Sequence, residues 1–288
     1  MTQQELLLSW LDRRLEAGVG AWLREQCASI AAGAPERTFH LAFGMAVRKT
    51  GTAPLAPTAA EQAEAFAAHA GWDLRDWTVD QAARAALLLA LPASPATTTS
   101  IRALFQTADL GEHVALVRSL FLLQGNENLL HIAREGIRSN MGDVFFAVSQ
   151  RNPYPSERFD DIAWNQMIVK CLFVDLPLWS VFGLDTRANA DLARMISDLA
   201  RERWAAGREI SPEAWRCVAP FTESPGADAM AEALATAFAR GGRDRRGAAL
   251  GAWNTGRASL RDLVRAKAPE LVPSLEDGAL TWENHDKS

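Results

Sequence analysis

Residues Glu135 to Phe221 read EGIRSNMGDVFFAVSQRNPYPSERFDDIAWNQMIVKCLFVDLPLWSVFGLDTRANADLARMISDLARERWAAGREISPEAWRCVAPF. Apolar residues recur here at three- and four-residue spacing, and no alternating β-branched run occurs, so the stretch is a succession of helices. It also holds the only tyrosine, Tyr154, and four of the ten tryptophans. Polar residues interrupt its apolar faces at Asn140, Asn152, Asn165, Gln166 and Lys170. The centre of the stretch is therefore either a binding site or a buried junction between broken helices.

The proline-rich segment RNPYPSERFDD, residues 151–161, forces the chain out of the helix that ends near Gln150 and predicts an extended crossover. Tyr154 lies in its stiff corner. A structural plug is the simpler role there, since a phenol with a pKa of about 10 is a poor acid at neutral pH. Asp160 or Asp161 can cap the next helix, IAWNQMIVKCLF, whose apolar residues surround it and predict burial. On that helix Asn165 falls between Val169 and Leu172, and Gln166 pairs with Lys170 at i+4. Buried amide and ammonium groups need partners, because an unmet one costs about 1 to 3 kcal/mol. Asn165, Gln166 and Lys170 either bond the irregular backbone of the NPYP crossover and the PLW turn or line a pocket. The structural role is preferred, because broken helices leave carbonyls and amides that side chains satisfy. Lys170 is the sharper functional candidate. It is the only lysine between Lys49 and Lys267, and its amine suits an anionic ligand or, as a lesser alternative, Schiff-base chemistry.

No catalytic signature accompanies these residues. Glu127, His131, Glu135 and Ser139 are spaced four apart and would form one polar row on a helix, but HExxH is absent and a solvated face is the expected reading. DDIAWN resembles half of an aspartate-rich prenyl-diphosphate motif, yet Trp164 stands where a third acid would bridge magnesium. No nucleophile elbow and no glycine-rich phosphate loop is present. The residues imply no metal and no cofactor.

Outward from this stretch the helical pattern continues. Leu6, Leu7, Trp10, Leu11 and Leu15 share one face of a helix that Gly18 and Gly20 are expected to interrupt. Phe39, Ala42, Phe43 and Ala46 give another stripe, with His40 beside it. Thr58 with Glu61, Thr78 with Gln81 and Asp109 with Glu112 mark helix starts. Between the first two, GWDLRDW predicts a turn whose tryptophans, Trp72 and Trp77, plug a junction without forming a ligand cage. The run AALLLAL, residues 85–91, reads as buried helix, and PASPATTT, residues 92–99, as an interhelical loop. About a dozen helices with short connections predict an all-α fold, either an array of antiparallel helix pairs in an α-solenoid-like stack or an irregular helical bundle.

Toward the C-terminus, eight basic residues lie between Arg240 and Lys267 against Asp244 and Asp262. Arg257, Arg261 and Arg265 form a row on an amphipathic helix with Leu260 and Val264. A solvated face is the preferred reading, with peripheral contact to an anionic membrane or an acidic partner as the functional one. GGRDRRG reads as a mobile loop and LEDGALTWENHDKS as a tail.

Composition limits the function classes. With 288 residues, 48% hydrophobic, the chain can bury a large core, and its net charge of −5 argues against broad nucleic-acid binding. Cys27, Cys171 and Cys217 are odd in number and set in apolar helical patterns, which excludes a disulfide framework and fits a reducing cytoplasm. No basic-then-apolar leader and no run of about 18 apolar residues occurs, so a cytoplasmic location is expected.

Taken together, EGIRSN, NPYP, RFDDIAWNQMIVKCLF, PLWSVFGLDTRAN, LARM, ARERWAAGR and PEAWRCVAPF resemble the EboA family of bacterial proteins. The likeness is dense across 135–221 and looser back to about residue 82. It divides the chain into a helical domain, 1–221, and a C-terminal helical extension with tail, 222–288. Family members are encoded beside a UbiA-like prenyltransferase, a sugar-phosphate cyclase related to dehydroquinate synthase, and barrel-fold hydrolase-like or isomerase-like enzymes. The resemblance implies a part in making or moving a metabolite, including traffic of pigment precursors towards the periplasm in cyanobacteria. It assigns no reaction and no catalytic residues, so Asn140, Asn152, Tyr154, Trp164, Asn165, Gln166, Lys170, Asp185 and Arg187 carry over only as motif positions. The expected role is that of an accessory protein binding a small-molecule metabolite or another cluster-encoded protein without catalysis of its own. The alternative is an enzyme using Lys170 and its polar neighbours on an anionic or prenylated cyclitol-like intermediate.

Overall fold

The computed structural model describes residues 1–285. Among them are eighteen α-helices, four short 3-10 turns and no β-strand, so the protein is all-α, as the spacing predicts. The chain packs into two compact units, Met1–Phe159 and Asp160–Ser288. The boundary at residue 221 drawn from the motifs marks where the family likeness ends.

Unit 1 contains α1 (Gln3–Asp12), α2 (Ala17–Ala31), α3 (Glu36–Thr50), α4 (Ala59–Ala68), α5 (Val79–Leu89), α6 (Pro95–Thr107), α7 (Leu110–Ser119), α8 (Leu130–Arg138), α9 (Gly142–Ser149) and α10 (Tyr154–Arg158). Its centre is α5, which packs against α1, α2, α3 and α7. The run of alanines and leucines buries almost every residue of α5 from Val79 to Leu88, as expected for a helix apolar on all sides. Next to it, α7 buries Val114 to Ser119 and packs in turn on α9. Gly136 brings α8 against α9, where an added Cβ would lie 2.7 Å from Val148 Cγ2.

The capping signals at Thr58 and Asp109 work as read. Thr58 Oγ1 accepts from the Glu61 amide (3.2 Å), and Asp109 Oδ1 accepts from the Glu112 amide (2.8 Å). Three local expectations are corrected. Gly18 and Gly20 lie inside α2, and the break falls at residues 13–16 instead; Gly20 is small enough for α2 to pass Asp12, whose Oδ1 would sit 3.2 Å from an added Cβ. PASPATTT is not simply a loop, because Ser94 caps α6 by accepting from the Thr97 amide (3.1 Å) and Pro95 takes the first helical position. NPYP does not cross in extended form; Pro153 has helical dihedrals and α10 makes one short turn directly after it.

Unit 2 contains α11 (Asp161–Phe173), α12 (Leu184–Arg187), α13 (Ala190–Ala205), α14 (Ala214–Val218), α15 (Asp228–Arg240), α16 (Gly242–Asn254), α17 (Ala258–Lys267) and α18 (Val272–Glu276). Asp160 caps α11 by accepting from the Ala163 amide (2.9 Å), and Asn189 caps α13 by accepting from the Leu192 amide (2.9 Å). Close approach of α16 to α14 requires small residues: a Cβ on Gly251 would lie 2.5 Å from the Trp215 carbonyl oxygen. GGRDRRG, expected as a mobile loop, instead begins α16, and Asp244 within it is buried and ion-paired to Arg240 (2.6 Å). The helix α11, expected to be buried all round, is buried on one face only, with Ile162 and Phe173 largely exposed. Of the C-terminal tail, Leu275 and His285 are buried, and the final residues 286–288 lie outside the described residues.

Candidate functional site

The motif residues of unit 2 are largely committed to one another. Asn165 and Asn189 exchange a reciprocal pair of side-chain hydrogen bonds, at 3.1 and 2.9 Å. Asn189 also donates to the Arg187 carbonyl (3.2 Å) while capping α13. Arg187 ion-pairs with Asp161 (3.0 Å), and its guanidinium lies over the fully buried Trp164 ring at 5.1 Å. Asp185 forms a two-bond pair with Arg216, both contacts at 2.6 Å. This set ties the start of α11 to the turn ahead of α13, and Asn165 bonds Asn189 there, not the backbone of the NPYP or PLW segments that the sequence reading named.

The remaining unit 2 candidates stand apart from that junction. Gln166 is exposed, which corrects its reading as a buried amide. Lys170 is half-buried, and partial burial lowers its pKa from the ordinary amine value. In the C-terminal basic row, Arg261 and Arg265 lie over the Trp253 ring at 5.0 and 5.6 Å, Arg265 also pairs with Asp262 (2.8 Å), and Arg257 pairs with Glu223 (3.4 Å). Cys217 is fully buried, and that burial pushes its thiol up to about 12.

In unit 1, Asn140 is exposed at the turn before α9. Asn152 is buried and ties three segments together: its Nδ2 donates to the Val117 and Ala147 carbonyls (3.2 and 2.8 Å), and its Oδ1 accepts from the Tyr154 amide (3.0 Å). Tyr154 is fully buried, and burial raises its phenol above the ordinary value, away from use as an acid. Glu127 precedes α8, so the four-residue row with His131, Glu135 and Ser139 is not carried on one helix. No group of three or more metal-ligating side chains occurs among the described residues.

The feature with unmet capacity is a cavity of about 530 Å³ in unit 1. One wall is the segment Thr52–Leu55, held against Trp77–Val79 by two backbone hydrogen bonds, Leu55 N–H to the Trp77 carbonyl (2.7 Å) and Val79 N–H to the Ala53 carbonyl (3.0 Å). Glu61 supports that wall from behind. It receives Arg13 (2.7 Å) and Arg14 (2.9 and 2.6 Å), and Arg14 bonds the Leu55 and Ala56 carbonyls (2.5 and 3.1 Å). The Arg14 guanidinium holds the Glu61 carboxyl at about 2. The opposite wall comes from α7 and the start of α9, with Leu110, Val114 and Phe146 as its apolar part.

Arg118 lines this cavity from α7. It is 4% exposed, and its buried Nε and Nη1 have no hydrogen-bond partner among the described residues. Burial lowers its pKa to about 10, with Asp76 and Asp73 opposing that shift and Arg151 adding to it, so the guanidinium stays charged at neutral pH. Neither aspartate forms an ion pair with it. Asp76 is bonded by Arg151 Nε (2.8 Å), and Asp73 by Arg151 Nη1 (3.2 Å) and Arg75. Arg151 does this from a left-handed backbone conformation, φ +49°, which is strained for a residue with a side chain.

Sequence reasoning passed over this site. Arg118 is hidden in the apolar run VALVRSLFLL, and Arg75, Asp76 and Trp77 sit in a turn read as packing alone. One signal was present: an arginine inside an otherwise apolar helix face needs either an acid at i±4 or a ligand, and Val114 and Leu122 occupy those positions. Unit 2 has a second cavity, of about 630 Å³, lined in part by Trp179, Arg203 and Trp282. Its Arg203 already donates to the Glu209 carbonyl (2.5 Å).

Residues 3–219 match the family model described as "Metabolite traffic protein EboA", three quarters of the chain. The chain belongs to the EboA family. The match runs through all of unit 1, so the Arg118 cavity lies wholly within the EboA region, as does the unit 2 junction. No curated protein and no solved structure matches the chain. No described helix is long and apolar enough to cross a membrane.

Proposed function

We propose that this EboA-family chain holds a small-molecule metabolite in the unit 1 cavity, as an accessory protein of metabolite traffic that does not itself transform its cargo. The observation that carries this reading is Arg118, a buried guanidinium that lines a cavity and whose Nε and Nη1 have no hydrogen-bond partner among the described residues. Leaving a charged group so placed is costly for a helical core, and a ligand that binds only the folded state offsets that cost. The family's description as a traffic protein supports handling rather than chemistry. The alternative of catalysis through Lys170 finds less support, since its polar neighbour Asn165 is engaged with Asn189.

The test is native mass spectrometry of the full chain purified from its own host, beside Arg118→Met. A small molecule retained by the wild type, lost from the variant and recovered chemically unchanged after incubation with the purified protein is expected. Conversion of that molecule by the chain alone contradicts the reading.

A further inference from the structure

We propose that the unit 1 cavity recognises an organic acid through a single carboxylate bound to Arg118, and that Arg151 is the positioning residue that keeps Asp76 from occupying that place. The inference rests on the reading of this cavity as a ligand site and adds the ligand's chemical class.

The charges around the cavity decide the class. Of its cations, Arg75 is already bonded to Asp73, which leaves Arg118 as the lining guanidinium whose partner must come from outside the protein. A guanidinium presents paired N–H donors in a plane that matches a carboxylate, and a desolvated pair of this kind is strong. The cavity does not suit a second negative group. Asp76 and Asp143 both line it; Asp143 stands exposed at the start of α9, and Asp76 is ion-paired with Arg151. Both carboxylates repel a multiply charged ligand and accept from a hydroxyl. Trp77, Val114 and Phe146 also line the cavity and offer apolar contact. The ligand that fits is a monocarboxylate with an apolar or hydroxylated body. A phosphate monoester shares the oxyanion chemistry but brings a second charge.

Asp76 is the competitor inside the protein. It lines the same cavity as Arg118 and acts on it electrostatically, and the bond from Arg151 Nε directs its carboxylate elsewhere. Arg151 makes this pairing, and the one to Asp73, from its left-handed backbone conformation. Removing the Arg151 side chain, which does not itself line the cavity, frees Asp76 to neutralise Arg118 and so closes the site.

Calorimetric titration of the full chain with sodium benzoate, benzamide and phenylphosphate at matched ionic strength tests both parts. Benzoate is expected to bind at least about tenfold more tightly than either of the others, a difference of one decade in Kd. Arg118→Met should abolish benzoate binding, and Arg118→Lys, which keeps charge but not the planar fork, should weaken it about tenfold. Arg151→Ala should weaken it similarly, and the double variant Arg151→Ala/Asp76→Asn should restore it, a rescue that a merely structural role for Arg151 would not give. Equal binding of benzamide and benzoate, or undiminished binding by Arg118→Met, overturns the carboxylate assignment while leaving a ligand cavity in place. Preference for phenylphosphate overturns the single-charge assignment. Failure of the double variant to recover overturns the role of Arg151. Silence of all three probes, together with no retained small molecule in native mass spectrometry, overturns the cavity reading itself.

Discussion

At the unit 2 junction, Arg187 lies over Trp164 and pairs with Asp161, and Asn165 and Asn189 satisfy each other, so the charged and amide groups have partners supplied by the fold. In the unit 1 cavity, Arg118 is more deeply buried than Arg187, and its Nε and Nη1 have no partner among the described residues. The same contrast exists within unit 1. Arg84 on α5 is as buried as Arg118, yet it pairs with Asp80 (2.6 Å), donates to the Phe43 carbonyl (3.1 Å) and lies over the Phe43 ring at 5.4 Å. Asp80 in turn accepts from Thr78 Oγ1 (2.6 Å). The junction asparagines and Arg187 of the motif are thus engaged with one another. What separates structure from site here is whether the protein completes the hydrogen bonds.

Substitutions can break or sharpen that contrast. The largest effect is expected for Arg84→Met, which strands the buried Asp80 carboxylate and should lower stability by about 3 to 5 kcal/mol in urea unfolding. Glu61→Gln comes next. The Glu61 pKa is held at about 2 in the folded protein against an ordinary 4.5, so its stabilisation is complete above about pH 4.5 and is lost as pH falls toward 2. That contribution is roughly 3 kcal/mol, and the variant should lose it at neutral pH while showing a shallower acid dependence between those values. Asn165→Ala, which leaves the Asn189 amide short of a partner, should cost about 1 to 3 kcal/mol without changing ligand retention. The smallest effect is expected for Lys170→Ala, within about 0.5 kcal/mol in stability and with no loss of function in a complementing cell. A complete loss of function there would move the site to unit 2.

The all-α architecture was legible because a 3.6-residue apolar period survives in nearly every segment, and the caps at Thr58 and Asp109, with the one at Asp160 narrowed to two neighbouring aspartates, were legible because capping is a local interaction. The errors came where tertiary packing overrides a local signal. Gly20 lies within α2 where that helix passes Asp12, and GGRDRRG begins α16 where Gly247 lets that helix pass Pro212, whose carbonyl oxygen would clash with an added Cβ. The exposed face of α11, with Ile162 and Phe173, was read as buried because periodicity reports apolarity and not what covers it. The junction around Asn165 was legible in part, since its residues lie close in the chain. The Arg118 cavity was not, because it joins residues 52–54, 75–81, 110–118 and 143–146, and only folding brings these together.

The central claim, that the charge of Arg118 serves a ligand rather than the fold, is tested most directly by comparing urea unfolding of ligand-free wild type and Arg118→Met. Exchanging a buried, unpartnered guanidinium for an apolar side chain of similar length should leave the midpoint unchanged or raise it, with the slope unaltered. A loss of about 3 kcal/mol or more, as expected for Arg84→Met, would show that the fold does supply Arg118 with a partner and would contradict the account.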